Sequence, residues 1–161
     1  MSDDRRVPEL VLVCGLPGVG KTTHAGALEQ RLPAVRFCAD DWLEALGDDL
    51  WDERARERVE QLQWQLAQRL LAVGTSTVIE WGTWSRAERD DIRDAASRLG
   101  AYTELHYLDA PIDEIHQRIG TRGRERPAIN REQLDQWAAS FEIPTDDETR
   151  QWDGFINLNT T

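Results

Sequence analysis

The sequence has few of the features that mark membrane-bound or secreted proteins. None of its apolar runs approaches the roughly 20 residues that a membrane-spanning helix needs. The first six residues, Met1 to Arg6, lack the hydrophobic core of a secretory signal. Cys14 and Cys38, the two cysteines, each fall near the end of a predicted strand, so we expect buried thiols rather than a disulfide. Together these features predict a cytoplasmic protein without a membrane partner.

Positive charge is also scarce. The 161 residues include 19 Lys and Arg against 30 Asp and Glu, which gives a formal net charge of −11. A broad nucleic-acid-binding surface would normally be basic, so nucleic acid is not an expected partner. A single nucleotide can still bind in a local basic pocket. The length suits one α/β domain over residues 1–161, and the hydrophobic fraction of 40% is ordinary for a globular protein.

Lysine is the rarest charged residue. Lys21 is the only lysine, and the other 18 basic residues are arginines. Lysine carries a compact, flexible ammonium, which suits a tight phosphate pocket better than the planar guanidinium of arginine. The presence of lysine at this one position therefore indicates a phosphate-binding role.

Lys21 belongs to a phosphate-binding motif. Residues 15–23 read GLPGVGKTT and match the pattern G-x-x-x-x-G-K-[ST] at every position. The apolar stretch 9–14 before the motif has the length of a strand, and residues 22–32 after it have helical periodicity. Such a loop directs main-chain N–H groups at a phosphate. The predicted nucleotide-binding residues are Gly15, Pro17, Gly18, Val19, Gly20, Lys21, Thr22 and Thr23.

The motif also predicts the cofactors, ATP and Mg²⁺. We expect Lys21 to contact the β- and γ-phosphates and the Thr22 hydroxyl to bind Mg²⁺. The motif does not distinguish ATP from GTP. A glycine-rich turn that only joins a strand to a helix is the alternative, but pattern and context both favour phosphate binding.

Strands and helices alternate along the rest of the chain. Short loops between them predict a three-layer α/β fold, with a parallel sheet flanked by helices. The apolar periodicity of the long helix predicts its buried face, namely Ala55, Val59, Leu62, Leu66, Leu70 and Val73. The further predicted strands cover residues 34–38, 75–81, 101–108 and 154–158, and the further helices 39–47, 53–73, 85–99, 112–121, 130–139 and 145–152.

Acidic residues follow two of the strands, at the edge where parallel α/β sheets bind ligands. Asp41 and Glu44 have the spacing of a capping box, which would leave Asp40 at the end of the second strand. Asp40 is a candidate base toward an acceptor hydroxyl, or else a helix cap or a solvated carboxylate. Glu80 at the end of the third strand is a candidate for holding magnesium-bound water, for acting as the base instead, or for a structural role.

Three tryptophans fall near the same edge. Trp42, Trp81 and Trp84 are candidates for the wall of an acceptor pocket, because aromatic side chains stack on sugars and rings. The alternative is ordinary packing. We expect the other four tryptophans, Trp51, Trp64, Trp137 and Trp152, to serve as packing residues.

The chain resembles the small P-loop kinases that phosphorylate hydroxyl groups. That group includes the kinase domain of polynucleotide kinase, chloramphenicol phosphotransferase and zeta-toxin-type kinases. The resemblance covers residues 9–158. It rests on GLPGVGKTT, on Asp40-Asp41 after the second strand, and on the turn 108–111 that leads to Arg118 and Arg122.

The resemblance implies a fold and roles for several residues. The fold is the AAA-type P-loop NTPase fold, with a five-stranded parallel sheet in the order 2-3-1-4-5. Asp40 corresponds to the base toward the acceptor. Arg122 and Arg118 correspond to arginines that neutralise the transferred phosphate, on a lid near residues 118–130. The alternative for these arginines is a solvated basic face.

One departure from the group affects the expected substrate. Polynucleotide kinases have an arginine three residues beyond the base, where this chain has Leu43. Because that arginine helps to hold a phosphate-bearing acceptor, a 5′ end of nucleic acid is not the first expectation. The predicted function is ATP-dependent transfer of the γ-phosphoryl group to a hydroxyl of a small-molecule acceptor, which the sequence does not identify.

Alternatives to this function remain open. They are a polynucleotide 5′-hydroxyl kinase, a nucleotide-binding ATPase or switch, and a toxin-like module without a small-molecule acceptor. A switch would need no acidic base on the acceptor side, whereas Asp40 and Glu80 are both present. The sequence predicts no oligomeric state.

Overall fold

The computed structural model describes residues 6–160, which contain five strands and seven helices. The strands are β1 Glu9–Cys14, β2 Ala34–Phe37, β3 Ser76–Ile79, β4 Tyr102–Asp109 and β5 Gly154–Asn159. The helices are α1 Lys21–Arg31, α2 Ala39–Leu46, α3 Glu53–Ala72, α4 Arg86–Arg98, α5 Ile112–Arg122, α6 Arg131–Ser140 and α7 Asp146–Thr149. Among the described residues, no helix is long and apolar enough to cross a membrane.

The strands form one parallel sheet in the order β2-β3-β1-β4-β5, which confirms the predicted fold class and strand order. β1 lies at the centre, and from Leu10 to Cys14 it is buried on both faces, as this apolar run predicts. Leu10 and Leu12 pack into a core on one face of the sheet, and Val11 and Val13 into a second core on the other. The loop after β1 therefore starts from the most constrained strand.

Within the described residues, both cysteines are buried and form no disulfide, as the sequence predicts. Cys14 ends β1, and Cys38 follows β2. Burial raises the pKa of each thiol to about 12. Both side chains are therefore neutral packing groups.

Side-chain caps mark the start of two helices. The Ser85 side chain accepts a hydrogen bond from the Glu88 N–H at the start of α4. Asn130 and Gln133 form a complete capping box at the start of α6. These caps fix where the two helices begin beside the ligand-binding edge.

The predicted cap at Asp41 is wrong. α2 begins at Ala39 with Cys38 as its N-cap, and no side chain within residues 6–160 caps it. Asp40 and Asp41 both lie in its first turn, where the helix dipole favours negative charge. Their carboxylates bind arginines instead of the backbone: Arg56 binds Asp40, and Arg36 binds Asp41.

The predicted buried face of α3 is correct only for its first half. Ala55 and Val59 are buried, but Leu62 is 56% exposed. From there the buried stripe continues one residue later, through Gln63, Ala67 and Leu71. The cause is Gln63, whose amide nitrogen donates to the Cys38 carbonyl at 3.0 Å and whose amide oxygen accepts from Trp81 Nε1 at 2.7 Å.

Candidate active site

The phosphate loop joins β1 to α1. Gly18 has φ +81°, and a Cβ atom added there would lie 2.6 Å from Ile119 Cγ1, so a larger residue would clash with α5. Gly20 is the N-cap of α1 in the left-handed conformation, with φ +109°. Among the described residues, no side chain caps this helix. Its first N–H groups are therefore available to an anion at the positive end of the helix dipole.

The Lys21 ammonium lies inside this loop. Its Nζ donates to the Gly15 carbonyl at 2.8 Å and to the Leu16 carbonyl at 2.9 Å. Burial lowers the pKa of Lys21 to about 8, although the nearby Glu80 carboxylate opposes the shift. A phosphate in the loop would favour the charged form further. Lys21 is thus placed to neutralise phosphate charge.

Thr22 and Glu80 meet at the start of α1. Thr22 Oγ1 donates to Glu80 Oε1 at 2.8 Å, and Arg36 Nη1 donates to Glu80 Oε2 at 3.2 Å. Within residues 6–160, no cluster of three His, Cys, Asp or Glu side chains could hold a metal ion. Mg²⁺ commonly takes only one or two protein oxygens and completes its shell with phosphate oxygens and water. The hydroxyl and the carboxylate therefore fit a magnesium ion that binds together with nucleotide phosphates.

Asp40 lines the same cavity as the phosphate loop. Arg56 Nη2 donates to Asp40 Oδ1 at 2.6 Å and to the Leu50 carbonyl at 3.0 Å. Asp40 Oδ2 has no hydrogen-bond partner within the described part of the chain, which leaves one carboxylate oxygen able to accept a proton or a hydrogen bond. The arginine fixes the carboxylate, and the free oxygen can face an acceptor.

The lid predicted near residues 118–130 comprises the end of α5 and the loop before α6. Arg118 Nη1 donates to the Val19 carbonyl at 3.3 Å and to Thr160 Oγ1 at 3.0 Å. Arg122 forms an ion pair with Glu125. Both arginines line the cavity, as a role in neutralising phosphate requires.

Arg124, to which sequence reasoning gave no role, joins this lid to α2. Arg124 Nε donates to Glu44 Oε1 at 2.6 Å, and Nη2 donates to Asp41 Oδ1 at 2.9 Å. Its side chain also lines the cavity. The lid is thereby held over the start of α2, the helix that carries Asp40.

The cavity has a volume of about 820 Å³ and brings most of the predicted site residues together. Two residues of the phosphate loop, Gly15 and Val19, do not line the cavity. Both are buried, so only their main-chain atoms could contribute to phosphate binding. The predicted residues that line the cavity are Pro17, Gly18, Gly20, Lys21, Thr22, Thr23, Asp40, Glu80, Trp81, Trp84, Arg118 and Arg122.

Trp42, a candidate for the wall of the acceptor pocket, does not line this cavity. Its ring packs against Phe37, with ring centroids 6.4 Å apart. Trp42 lies within α2 on the side that packs against the core, which turns it away from the cavity lining. Trp81 lines the cavity but is 8% exposed and hydrogen-bonded to Gln63.

Trp51 and Trp137, which the sequence predicts to be packing residues, also line the cavity. The Trp51 and Trp137 rings lie 6.0 Å apart, and Trp137 lies 5.7 Å from Trp84. Trp51 Nε1 donates to the Pro127 carbonyl at 2.9 Å, which ties the wall to the lid. No local pattern marks these residues, because three separate elements bring them together.

Polar residues of α3 were also missed, although the sequence does contain their signal. Glu53, Arg56, Glu60 and Gln63 recur at spacings of three or four residues, so they share one face of the helix. The first three line the cavity, and Gln63 continues the stripe beneath Trp81. A polar stripe on a helix that must also bury apolar residues indicates that one side of the helix faces a polar cavity.

Comparison with known proteins gives a family and several similar structures. The model of the family described as "AAA domain" matches residues 10–144. An adenylyl-sulfate kinase from Aeromonas hydrophila is 30% identical over 117 residues, a match that covers 69% of this chain and 58% of that relative. The match thus spans little more than half of the relative's length.

Two solved structures show the same fold. A candidate kinase from Chloroflexus aurantiacus has a TM-score of 0.74 at 22% identity, over 97% of this chain and 90% of the other. A gluconokinase from Sinorhizobium meliloti has a TM-score of 0.65 at 19% identity, over 96% of this chain and 84% of the other. At these identities the likeness concerns the fold alone.

Proposed function

Because the chain belongs to the AAA domain family, whose model matches residues 10–144, we propose that it is a P-loop kinase for a small-molecule acceptor. It transfers the γ-phosphoryl group of ATP to a hydroxyl of that acceptor. The name of the 30% identical relative, an adenylyl-sulfate kinase, supports a small acceptor rather than a nucleic acid. The net charge of −11 supports the same choice.

One observation carries the proposal: the phosphate loop and the free oxygen of a fixed carboxylate belong to one cavity of about 820 Å³. Such a volume accommodates ligands of ordinary small-molecule size. Phosphoryl transfer asks the protein mainly to position two substrates and to neutralise charge. A switch protein needs the loop but has no need of the carboxylate beside it.

The cavity residues take the following roles. Lys21 and the N–H groups at the start of α1 hold the β- and γ-phosphates, and Thr22 and Glu80 hold Mg²⁺, which neutralises phosphate charge when bound. The acceptor oxygen attacks the γ-phosphorus while the bond to the β–γ bridging oxygen breaks, and ADP leaves. Arg118 and Arg122 neutralise the transferred group, for which they exchange their present partners Thr160 and Glu125.

Asp40 is the base that aligns the acceptor hydroxyl and accepts its proton. Glu80 suits this role less well, because both of its oxygens already accept hydrogen bonds. One accepts from Thr22 in α1 and the other from Arg36 in β2. Asp40 keeps one oxygen without a partner among residues 6–160, and Arg56 fixes the other. This difference in bonding supports Asp40 over Glu80.

The test compares Asp40→Asn with Asp48→Asn, a matched change at an exposed aspartate outside the cavity. Full-length protein with magnesium and ATP is screened against hydroxyl compounds. We expect acceptor-dependent transfer that Asp40→Asn lowers by roughly 10²–10⁴-fold, the usual contribution of a general base. ATP affinity, measured by calorimetry, should stay unchanged, and Asp48→Asn should behave as wild type.

Two results would contradict this assignment. Normal transfer by Asp40→Asn would show that another group takes the proton. ATP turnover that no acceptor accelerates would favour the ATPase or switch alternative. The cytoplasmic location expected from the sequence stays a prediction.

A further inference from the structure

The part of the cavity beyond the phosphate loop and the lid carries an excess of negative charge. We call it the acceptor end and define it by Asp40, Arg56, Glu60, Glu88, Trp84 and Trp137, all of which line the cavity. Asp40 and Glu88 both raise the pKa of Glu60, and Arg56, the one cation in this set, lowers it. Three carboxylates against one guanidinium leave this end negative.

Glu60 is a half-buried carboxylate that this arrangement leaves unpaired within the described residues. It follows Arg56 by four residues on α3, a spacing at which the two side chains normally pair. Arg56 instead binds Asp40 at 2.6 Å and the Leu50 carbonyl at 3.0 Å. Within residues 6–160, Glu60 has no hydrogen-bond or ion-pair partner although it is half-buried.

The surroundings of Glu60 disfavour its charge. Burial, together with the carboxylates Glu88 on α4, Asp40 on α2 and Glu57 on its own helix, raises the pKa of Glu60 to about 7, and Arg56 opposes the shift. A half-buried carboxylate without a partner gains interaction energy when a cation binds beside it. The ligand that supplies this charge would enter through the cavity.

The neighbouring wall suits the same kind of ligand. The rings of Trp84 and Trp137 lie 5.7 Å apart, and Trp51 extends the wall 6.0 Å beyond Trp137. Tryptophan faces attract ammonium groups and also stack on rings. These aromatic rings and the unpaired Glu60 carboxylate line one cavity, a combination that suits organic cations.

We propose that the acceptor is an amino alcohol: it carries an ammonium group, which Glu60 binds, and its carbon skeleton packs against Trp84 and Trp137. This inference rests on the proposed kinase function and specifies its substrate class. Asp40 would then face the hydroxyl while Glu60, on the neighbouring helix, holds the ammonium. An anionic acceptor, such as the adenylyl sulfate that the curated relative is named for, would meet repulsion at this end of the cavity.

The test uses three probes that share a phenyl ring and a secondary hydroxyl but differ in charge. They are 2-amino-1-phenylethanol as the ammonium, 1-phenylethane-1,2-diol as the neutral compound and mandelate as the anion. Binding to the full chain, with magnesium and a non-hydrolysable ATP analogue, is measured by calorimetry. Glu60→Gln is compared with Glu57→Gln, a matched change at an exposed position on the same helix, outside the cavity.

We expect the ammonium probe to bind about tenfold more tightly than the diol, with mandelate weakest. Its affinity should rise from pH 6 to pH 8, because Glu60 gains its charge as the pH passes about 7. Glu60→Gln should remove both the preference and the pH dependence. Glu57→Gln should keep the preference, with the pH dependence moved slightly to lower pH because Glu57 no longer raises the pKa of Glu60. Because Glu60 binds no other side chain of the described residues, thermal melting should show that Glu60→Gln still folds.

Several results would overturn the inference. These are equal binding of the three probes, no binding of any of them at millimolar concentration, and an unchanged preference in Glu60→Gln. The analogue's own affinity is recorded in the same samples. If the analogue binds normally and the ammonium preference is absent, the inference fails while nucleotide binding stands. If the analogue does not bind, the kinase proposal itself fails.

Discussion

At the scale of single residues, Lys21 links nucleotide binding to a proton. Its ammonium is buried against two loop carbonyls, and burial lowers its pKa to about 8. A bound phosphate favours the charged form and therefore raises that pKa. At any pH at which Lys21 of the free protein has lost its proton, nucleotide binding must therefore be accompanied by proton uptake.

We therefore expect the affinity for magnesium-ATP to be constant below about pH 8 and to weaken at higher pH. The loss should approach about tenfold per pH unit, the limit for uptake of one proton. Calorimetry in two buffers of different ionisation enthalpy at pH 8.5 measures the uptake directly. Lys21→Arg, whose guanidinium stays charged, serves as the control, and an equal pH slope in both proteins would contradict the assignment.

Sequence could predict the residues of the phosphate loop because their spacing in the chain determines their geometry. Lys21 and Thr22 needed nothing beyond the motif. Trp51 and Trp137, by contrast, meet only after folding, with ring centroids 6.0 Å apart. Glu60 is similar: a local rule pairs it with Arg56, and the more distant Asp40 takes that arginine instead. Residues defined by tertiary contacts were therefore the ones missed.

At the scale of elements, the lid places its arginines at different tasks. Arg122 lines the cavity and is held by Glu125 next to it, whereas Arg124 reaches across to Glu44 and Asp41 on α2. Arg122 can bind a phosphate once it releases Glu125. Arg124 holds two elements together. Loss of either should therefore have different consequences.

Arg122→Ala should lower the rate of phosphoryl transfer by roughly 10²–10³-fold, as the loss of a charge-neutralising donor usually does. Arg131→Ala, which removes an exposed ion pair with Asp113 away from the cavity, is the control and should stay within about twofold of wild type. Single-turnover measurements separate the chemical step from binding. Similar losses in both variants would remove Arg122 from the mechanism.

Helix faces were harder to predict than strand positions. An unbroken apolar run such as β1 has one solution in a covered parallel sheet, namely burial on both faces. The sequence of α3 allows more than one buried face, because either Leu66 or the next residue, Ala67, could point toward the core. Hydrogen bonds from Gln63 to Trp81 and Cys38 select the second. Buried hydrogen bonds to residues distant in the sequence outweighed the apolar periodicity of the helix, and no local pattern reveals such bonds.

At the scale of the whole molecule, the phosphate loop connects separate parts of the fold. It follows the central strand, and Gly18 packs against Ile119 of α5. The Thr160 hydroxyl, just after β5, donates to the Val19 carbonyl at 2.7 Å. A ligand in the loop should therefore stabilise the cooperative unit rather than one local segment.

We expect magnesium-ATP at about 1,000 times its dissociation constant to stabilise the protein by about 4 kcal/mol. For a chain of this size the melting temperature should rise by roughly 2–4 °C per kcal/mol. Differential scanning calorimetry measures the shift. Lys21→Ala should melt near the wild-type temperature without nucleotide and lose most of the shift, and an unchanged shift would show that ATP binds elsewhere.

The cluster of tryptophans gives the cavity an optical signal of its own. Four of the seven tryptophans line it, and Trp51, Trp137 and Trp84 form a connected series with centroid spacings of 6.0 and 5.7 Å. Indole emission changes in wavelength and intensity when a neighbouring charge arrives or when water leaves. Occupancy of the cavity can thus be followed in unlabelled protein on the millisecond scale, before any product has formed.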